Sequence, residues 1–283
     1  MKTLVKVLTA LAGAAALGLA VVLATSWPRE AGGVAAQPRD DKDATANDLD
    51  LLATKRVFFA HQSVGDNILG AVPEVGAQAG GQAPQIVELG SAGTLPELAQ
   101  GTILHSHVGV NGDPQGKLTD FAAQLRAGVG KQVDVAVLKF CYVDIGAGTD
   151  VRALFEDYRS TLAQLGAEFP QVAFVPATAP LTTEDGVRQA AKNLLGRTSD
   201  NTARESYNAL VRAEYGQSGR LFDIAAIEST RPDGSRVSRS ADAQVHFALY
   251  SGYASDEGHL NSVGAKRAAG EFLATVSRAS STR

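Results

Sequence analysis

Short apolar runs alternate with longer segments of helical periodicity over most of the chain. The apolar runs that predict strands cover residues 57–60, 86–89, 133–140, 172–176 and 221–224. The clearest amphipathic segments cover residues 117–127, 151–166 and 202–215. Alternation of this kind is typical of a parallel sheet covered by helices on both faces. We therefore predict one α/β domain with a three-layer α/β/α architecture and a mostly parallel five-stranded sheet.

The N-terminal part of the chain lacks this pattern. Lys2 and Lys6 precede a stretch that is apolar from residue 7 to 24 apart from Thr9, which predicts a signal peptide or an N-terminal membrane anchor over residues 1–26. Residues 27–50 contain prolines, paired glycines and a run of charges, a composition typical of a flexible linker. The folded domain is therefore expected over residues 51–283.

The positive residues before the apolar stretch also predict where the domain is located. By the positive-inside rule, the chain after residue 26 lies outside the cytoplasm. We expect it to be secreted or periplasmic, or anchored to the membrane through residues 7–24. Cys141 is the only cysteine, so no disulfide forms within the chain, and we interpret Cys141 as a small buried residue.

Composition excludes some classes of partner. A net charge of −4 and an isoelectric point near 5.8 provide no basic field for a phosphate backbone, so nucleic acid is not an expected partner. The oligomeric state cannot be read from the sequence.

One joint between a strand and a helix carries a candidate nucleophile. In the stretch VFFAHQSVGDN, an apolar run ends and Ser63 follows, and Val64, Ile68, Leu69 and Val72 then recur at helical spacing. A serine at this position either caps the helix or acts as a nucleophile. The free N–H groups of the helix start would stabilise the oxyanion that its attack creates.

A second candidate pair precedes the last predicted helix. Asp256 and His259 lie three residues apart in the stretch SDEGHLN. At this separation the carboxylate can accept a hydrogen bond from Nδ1 of the histidine, which leaves Nε2 to take a proton from a serine. Together with Ser63, the pair predicts a catalytic triad.

These two motifs resemble those of the SGNH hydrolases, also called GDSL esterases and lipases. The resemblance extends from about residue 57 to about residue 276 and implies the flavodoxin-like fold of that family. It implies that Ser63 is the nucleophile, that His259 is the general base and then the general acid, and that Asp256 supports His259. One departure is clear, because His61 and Gln62 precede the serine where the family has Gly-Asp.

The resemblance also implies an oxyanion hole. The family uses the N–H of the serine, the N–H of a glycine after the second strand and an asparagine side chain after the third. Gly90 fits the glycine, but the stretch KFCYVDI contains no asparagine. Tyr142 or Gln62 is an alternative donor, and without one the protein would be a weaker esterase.

Several further residues are candidates for the cleft. His61 and Gln62 precede the nucleophile, and Tyr142 and Asp144 follow the third predicted strand, where Asp144 and Lys139 could pair with each other. His105 and His107 form a His-x-His pair, but no acidic residue stands beside them at a recognised ligand spacing. We therefore expect them at a loop or strand end near the cleft rather than on a metal.

The expected function is that of an extracytoplasmic serine esterase. Its substrate would be a small-molecule or polysaccharide ester, for example an O-acetyl group on carbohydrate, and no metal or organic cofactor is required. Two alternatives stay open: an O-acyltransferase that uses the same triad, and a catalytically weak carbohydrate-binding protein on the same fold.

Overall fold

The computed structural model describes residues 44–90, 95, 97–185, 199–241 and 244–281. Its main sheet has the strands β1 (Arg56–His61), β2 (Gln85–Glu88), β3 (Thr102–His107), β4 (Val135–Leu138) and β5 (Ala173–Val175), all parallel, in the order β2-β3-β1-β4-β5. An antiparallel hairpin of β6 (Ser238–Ala241) and β7 (Gln244–Phe247) stands apart from it. The predicted five-stranded parallel sheet is confirmed.

The helices of the described residues lie before, between and after these strands. They are α1 (Ala46–Leu52), α2 (Ser63–Ala79), α3 (Pro114–Arg126), α4 (Val151–Glu168), α5 (Asp200–Tyr215), α6 (Ile224–Ser229) and α7 (Ser262–Ser281). None of these helices is long and apolar enough to cross a membrane. The signal peptide or anchor predicted for residues 1–26 lies outside the described residues.

The central strand β1 divides the core into two layers. Val57 and Phe59 face one side of the sheet, where α1, α2 and α7 pack. Phe58 and Ala60 face the other side, where α3, α4 and α5 pack. All four side chains are buried, and burying a large apolar side chain contributes about 1.5–3 kcal/mol. This alternation produces the predicted three-layer architecture.

One predicted strand is wrong and one observed strand was missed. The apolar run at residues 221–224 forms only an isolated bridge between Phe222 and Ala177. It cannot continue because Asp223 caps α6, accepting a hydrogen bond from Ala226 N–H. The fifth strand is instead β3, which lies between β1 and β2. Its sequence, TILHSH, ends in polar residues that hide the apolar pattern of a strand.

The boundary of the predicted linker also needs correction. The structure places Ala46–Leu52 in α1, whose first turn is held by a capping box between Thr45 and Asp48. Leu49 and Leu52 of this helix are buried in the core. The folded part therefore includes residues 46–50, which were assigned to the linker.

A buried acid in α6 should make the stability of this fold depend on pH. The carboxylate of Glu228 accepts a hydrogen bond of 2.6 Å from Leu181 N–H. Burial raises its pKa to about 8, against attraction to Lys139 and Arg204. Since the unfolded carboxyl ionises near its ordinary value of 4.5, the stability contributed by the neutral acid is full below that pH. It is lost as pH rises toward 8.

Glu228→Gln should remove most of this dependence, because the amide keeps an acceptor for Leu181 and cannot ionise. Each pKa unit corresponds to about 1.4 kcal/mol, so the loss in the wild type should amount to several kcal/mol. The measurement is the free energy of unfolding in urea at pH 5 and pH 8 for both proteins. Equal pH dependence in the two would contradict the prediction.

Candidate active site

Ser63 is the first residue of α2, directly after β1. The N-cap of the helix is Gln62, so Ser63 is not the capping residue that the alternative interpretation required. The Gly65 N–H of the first turn donates to the Gln62 carbonyl at 2.6 Å, whereas the N–H of Ser63 precedes the hydrogen-bond pattern of the helix. The hydroxyl of Ser63 lies at the carboxyl edge of the sheet, where the Ser63 N–H is the donor expected for an oxyanion.

The other two predicted triad residues lie in a short loop before α7. His259 Nε2 is 2.9 Å from Ser63 Oγ, and His259 Nδ1 is 2.7 Å from Asp256 Oδ2. The structure thus brings the three side chains together in the order serine, histidine, carboxylate. Nδ1–H of His259 donates to Asp256, which leaves Nε2 as the acceptor for the serine proton.

Backbone hydrogen bonds fix the carboxylate of Asp256. Its Oδ1 accepts from the N–H groups of Gly258 at 2.9 Å and His259 at 2.8 Å. Partial burial pushes the pKa of Asp256 upward, but the hydrogen bonds from these N–H groups and from the His259 ring outweigh burial and hold it below the ordinary value. Asp256 is therefore ionised where an imidazolium would need its charge.

Two asparagines that the sequence analysis did not select join the parts of the triad. Asn67, one turn after Ser63, accepts a hydrogen bond of 3.1 Å from Leu260 N–H through Oδ1. Asn261 accepts from Val263 and Gly264 N–H at 3.0 Å each and so begins α7. Asn67 thereby sets the distance between the nucleophile and the histidine loop. Its position on the same helix face as Ser63 was the only signal in the sequence.

Of the two side chains predicted as alternative oxyanion donors, Tyr142 lies beside the triad, whereas Gln62 is hydrogen-bonded elsewhere. Gln62 donates from Nε2 to the carbonyl oxygens of Val108 at 2.8 Å and Gly109 at 3.2 Å, so its amide is engaged with the loop after β3. Tyr142 lies against the triad, with its ring edge-on to His259 at 5.7 Å between centroids. Burial raises the pKa of Tyr142, so its phenol keeps the proton that a donor needs.

The glycine assigned to the oxyanion hole follows the second strand of the chain, as expected, but that strand is not adjacent to β1 in the sheet. Gly90 comes after β2, which is the edge strand, and β3 lies between it and β1. The role of Gly90 stays a prediction, since the residues that follow it, 91–94, lie outside the described part of the chain.

If Tyr142 supplies the third oxyanion donor, Tyr142→Phe should lower kcat for a model ester about 100- to 1,000-fold with little change in KM. The substitution keeps the ring that packs against His259 and removes only the hydroxyl, and losing an oxyanion donor typically costs 10²–10³ in rate. Tyr215→Phe, at the far end of α5, is the matched control. Wild-type kcat in Tyr142→Phe would show that the third donor lies elsewhere.

Asp144, predicted to line the cleft, is a structural residue. It is buried and accepts hydrogen bonds from Lys117 Nζ at 2.7 and 2.8 Å. It also accepts from the N–H groups of Gly112 and Cys141 at 2.8 and 2.6 Å. The pairing with Lys139 considered from the sequence is wrong, because Lys139 Nζ donates to the Phe140 carbonyl instead. Asp144 therefore holds the Tyr142–Asp144 turn in place beside the triad.

His61 does not contact the triad but belongs to a cluster of histidines. Its ring is fully buried, and its Nε2 is 3.1 Å from Nδ1 of His105. His107 lies at the end of the same strand as His105, and its Nε2 is 2.9 Å from Asp66 Oδ1. The prediction that His105 and His107 lie at a strand end is confirmed.

Burial lowers the pKa values of two of these histidines, whereas a neighbouring carboxylate raises the pKa of the third. Burial lowers the pKa of His61 to about 3 and also lowers that of His105. The hydrogen bond to Asp66 raises the pKa of His107. At neutral pH the buried ring of His61 and the half-buried ring of His105 are therefore neutral, whereas His107 gains charge more readily than an ordinary histidine.

The chain is similar to known proteins in its structure but matches none of them by its sequence. No family model matches the chain, and no curated protein matches it. One similar structure is a protein of the G-D-S-L family from Desulfitobacterium hafniense that is described as lipolytic. Its sequence is 10% identical to this chain, and the TM-score is 0.44. The match covers 80% of this chain and 99% of that protein. SGNH-type proteins are thus among the similar structures.

Two further similar structures are named after reactions of acetyl groups. The periplasmic domain of a lipopolysaccharide acetyltransferase from Salmonella Paratyphi A is 10% identical with a TM-score of 0.47, covering 80% of this chain and 84% of that one. A peptidoglycan O-acetylesterase is 15% identical with a TM-score of 0.40, covering 65% of this chain and 49% of that one. These likenesses concern the fold.

Proposed function

We propose that the chain is a serine esterase that acts outside the cytoplasm and hydrolyses carboxylic esters through an acyl-serine intermediate. The observation that carries the proposal is the continuous hydrogen-bonded chain from Ser63 Oγ through His259 to Asp256. This arrangement is what a nucleophilic serine, a general base and an orienting carboxylate require.

The chemistry follows from the direction of these hydrogen bonds. Ser63 Oγ attacks the ester carbonyl while His259 Nε2 takes its proton, and the N–H of Ser63 stabilises the oxyanion. The imidazolium, held by Asp256, then protonates the leaving alcohol as the C–O bond breaks. Water attacks the acyl-serine with His259 again as base, which releases the acid and restores the serine.

The exposure of the triad supports hydrolysis over acyl transfer. The side chain of His259 is 30% exposed and that of Asp256 is 57% exposed. Water therefore reaches the general base without a conformational change. Efficient transfer to another alcohol requires that water be kept from the acyl-enzyme.

A polar groove beside the triad supports a hydrophilic alcohol as the leaving group. The groove runs between the first turns of α2 and the start of α7. Its lining includes the polar side chains of Asp66, Asn67, Glu74, Asn261 and Lys266. Such a lining offers hydrogen bonds to hydroxyl groups beside a small apolar surface of similar extent, which suits a short acyl chain on a polar alcohol. We therefore propose a short-chain ester, such as an O-acetyl group, on a carbohydrate.

The test is covalent labelling combined with product analysis. The wild-type protein should react with a fluorophosphonate probe at Ser63, located by mass spectrometry, and should release acetate from p-nitrophenyl acetate and from an acetylated sugar. A Ser63→Ala protein should not be labelled. Absence of both labelling and turnover in the wild type would contradict the esterase proposal, and acetyl transfer to an added sugar in place of acetate release would identify a transferase.

A further inference from the structure

The histidine cluster brings potential metal ligands from three elements to the carboxyl edge of the sheet. His61 ends β1, His105 lies near the end of β3, and Asp66 lies in the first turn of α2. One ligand atom from each of these three residues lies within 4.8 Å of the others. These residues take no part in the triad.

The hydrogen bonds of His61 direct one of its lone pairs toward His105. Nδ1 of His61 is 3.0 Å from the carbonyl oxygen of Gln62, which can only accept, so Nδ1 carries the hydrogen. Nε2 then presents its lone pair, 3.1 Å from His105 Nδ1. Two imidazole nitrogens bound to one tetrahedral Zn²⁺ at 2.0–2.1 Å lie roughly 3.4 Å apart. The two histidines are therefore already near the separation that a shared ion requires.

The position of His61 is fixed by close packing. A methyl group on Gly65 would lie 2.2 Å from the His61 ring, so the glycine allows the ring to lie directly against α2. Histidines that bind a metal through one ring nitrogen usually donate a hydrogen bond from the other nitrogen, for example to a backbone carbonyl, and this bond fixes the ring plane. His61 has this arrangement.

The charges around the cluster suit a divalent cation. Asp66 is one carboxylate, and Glu88 is a second, 3.3 Å from His107 Nδ1 through its Oε1. His107 also lies 2.9 Å from Asp66 Oδ1, so it connects the two acids. Two carboxylates compensate the charge of a dication that the two rings bind, and His107 acts as an outer partner of the ligand Asp66.

The cluster is closed on one side and open on the other. His61 is fully buried, whereas the side chains of Asp66 and His107 are 46% and 39% exposed. An ion can therefore enter from solvent, and water can complete its coordination beside three protein ligands, as in open zinc sites.

We propose that His61, His105 and Asp66 bind one divalent transition-metal ion, with Zn²⁺ as the preferred species. Two imidazole nitrogens and a carboxylate oxygen favour Zn²⁺ and its first-row neighbours over Mg²⁺ and Ca²⁺, which prefer oxygen ligands. The sequence does not indicate a metal here, because no acidic residue stands at a recognised ligand spacing beside His105 and His107. The fold supplies the missing ligands from residues about 40 positions earlier in the chain.

The test uses the full, untagged chain freed of metal with a chelator. Titration with Zn²⁺ in a calorimeter should show one equivalent bound per chain with a Kd in the micromolar range or below, and Zn²⁺ should raise the thermal unfolding temperature. Mg²⁺ and Ca²⁺ at the same concentrations should do neither. Failure of the wild type to bind one equivalent of Zn²⁺ would leave the cluster as a hydrogen-bond network and overturn the proposal.

Variants at the solvent side of the cluster locate the ion. His105→Ala and Asp66→Asn should each weaken Zn²⁺ binding at least tenfold, whereas His61→Ala is avoided because the ring is packed in the core. His259→Ala is the matched control, since it removes a histidine that pairs with a carboxylate outside the cluster, at Asp256, and should retain the wild-type Kd. Loss of binding in His259→Ala but not in His105→Ala would place the ion at the triad and refute the assignment. Neither result depends on esterase activity.

Discussion

Ser63→Ala should lower kcat for p-nitrophenyl acetate by about 10⁴-fold or more, and His259→Ala should do the same. Each change removes a component without which the others cannot act, so the double variant should be no slower than either single variant. Asp256→Asn should cost less, about 10- to 1,000-fold. Asp256 is 57% exposed, so water can take over part of its hydrogen bond to the ring, although the amide no longer balances the charge of the imidazolium.

The measurement is steady-state turnover together with burst kinetics for the wild type and the four variants. Circular dichroism should confirm that each variant is folded. Losses that simply multiply in the double variant would mean that Ser63 and His259 act independently, which contradicts a triad. An Asp256→Asn variant slower than Ser63→Ala would also contradict it.

Lys117→Met should destabilise the fold by about 3–5 kcal/mol. Lys117 and Asp144 are both buried and joined by hydrogen bonds of 2.7 and 2.8 Å. Removing the ammonium leaves the Asp144 carboxylate in the interior without its partner, and an uncompensated buried charge carries a cost of this size. For a folded domain of this length, the expected fall in Tm is roughly 6–20 °C.

Two control variants distinguish the effect of an unpaired buried charge on stability from the effect of losing a side chain. Lys117→Met/Asp144→Asn removes both charges and keeps an oxygen for the N–H groups of Gly112 or Cys141, so it should be less destabilised than Lys117→Met alone. Arg126→Met breaks the exposed pair with Glu168 and should leave the free energy of unfolding close to that of the wild type. Urea denaturation measures all three, and a double variant at least as unstable as Lys117→Met would contradict the prediction.

The sequence predicted those parts of the site that depend on local spacing. Ser63 was located by the change from an apolar run to helical periodicity, and the structure begins α2 at that residue. Asp256 and His259 were paired because three residues separate them in a short loop, and the structure joins them at 2.7 Å. In each case the signal lies within one turn of backbone.

The parts that depend on strand order could not be predicted. The sequence does not reveal that β3 lies beside β1, so the contact between His61 and His105 was not visible. The same uncertainty led to Lys139 as a partner for Asp144, because Lys139 is nearer in sequence. The true partner, Lys117, comes from α3 and reaches Asp144 only after the layers pack.

The hydrogen bond between Ser63 and His259 joins residues 196 positions apart. The nucleophile is made early in synthesis, whereas its base lies in the loop before α7, which packs onto α2 at the end of the chain. A polypeptide whose synthesis has not yet reached residue 259 therefore carries Ser63 without its general base. The contact between Ser63 and His259 thus reports that both ends of the folded domain have come together.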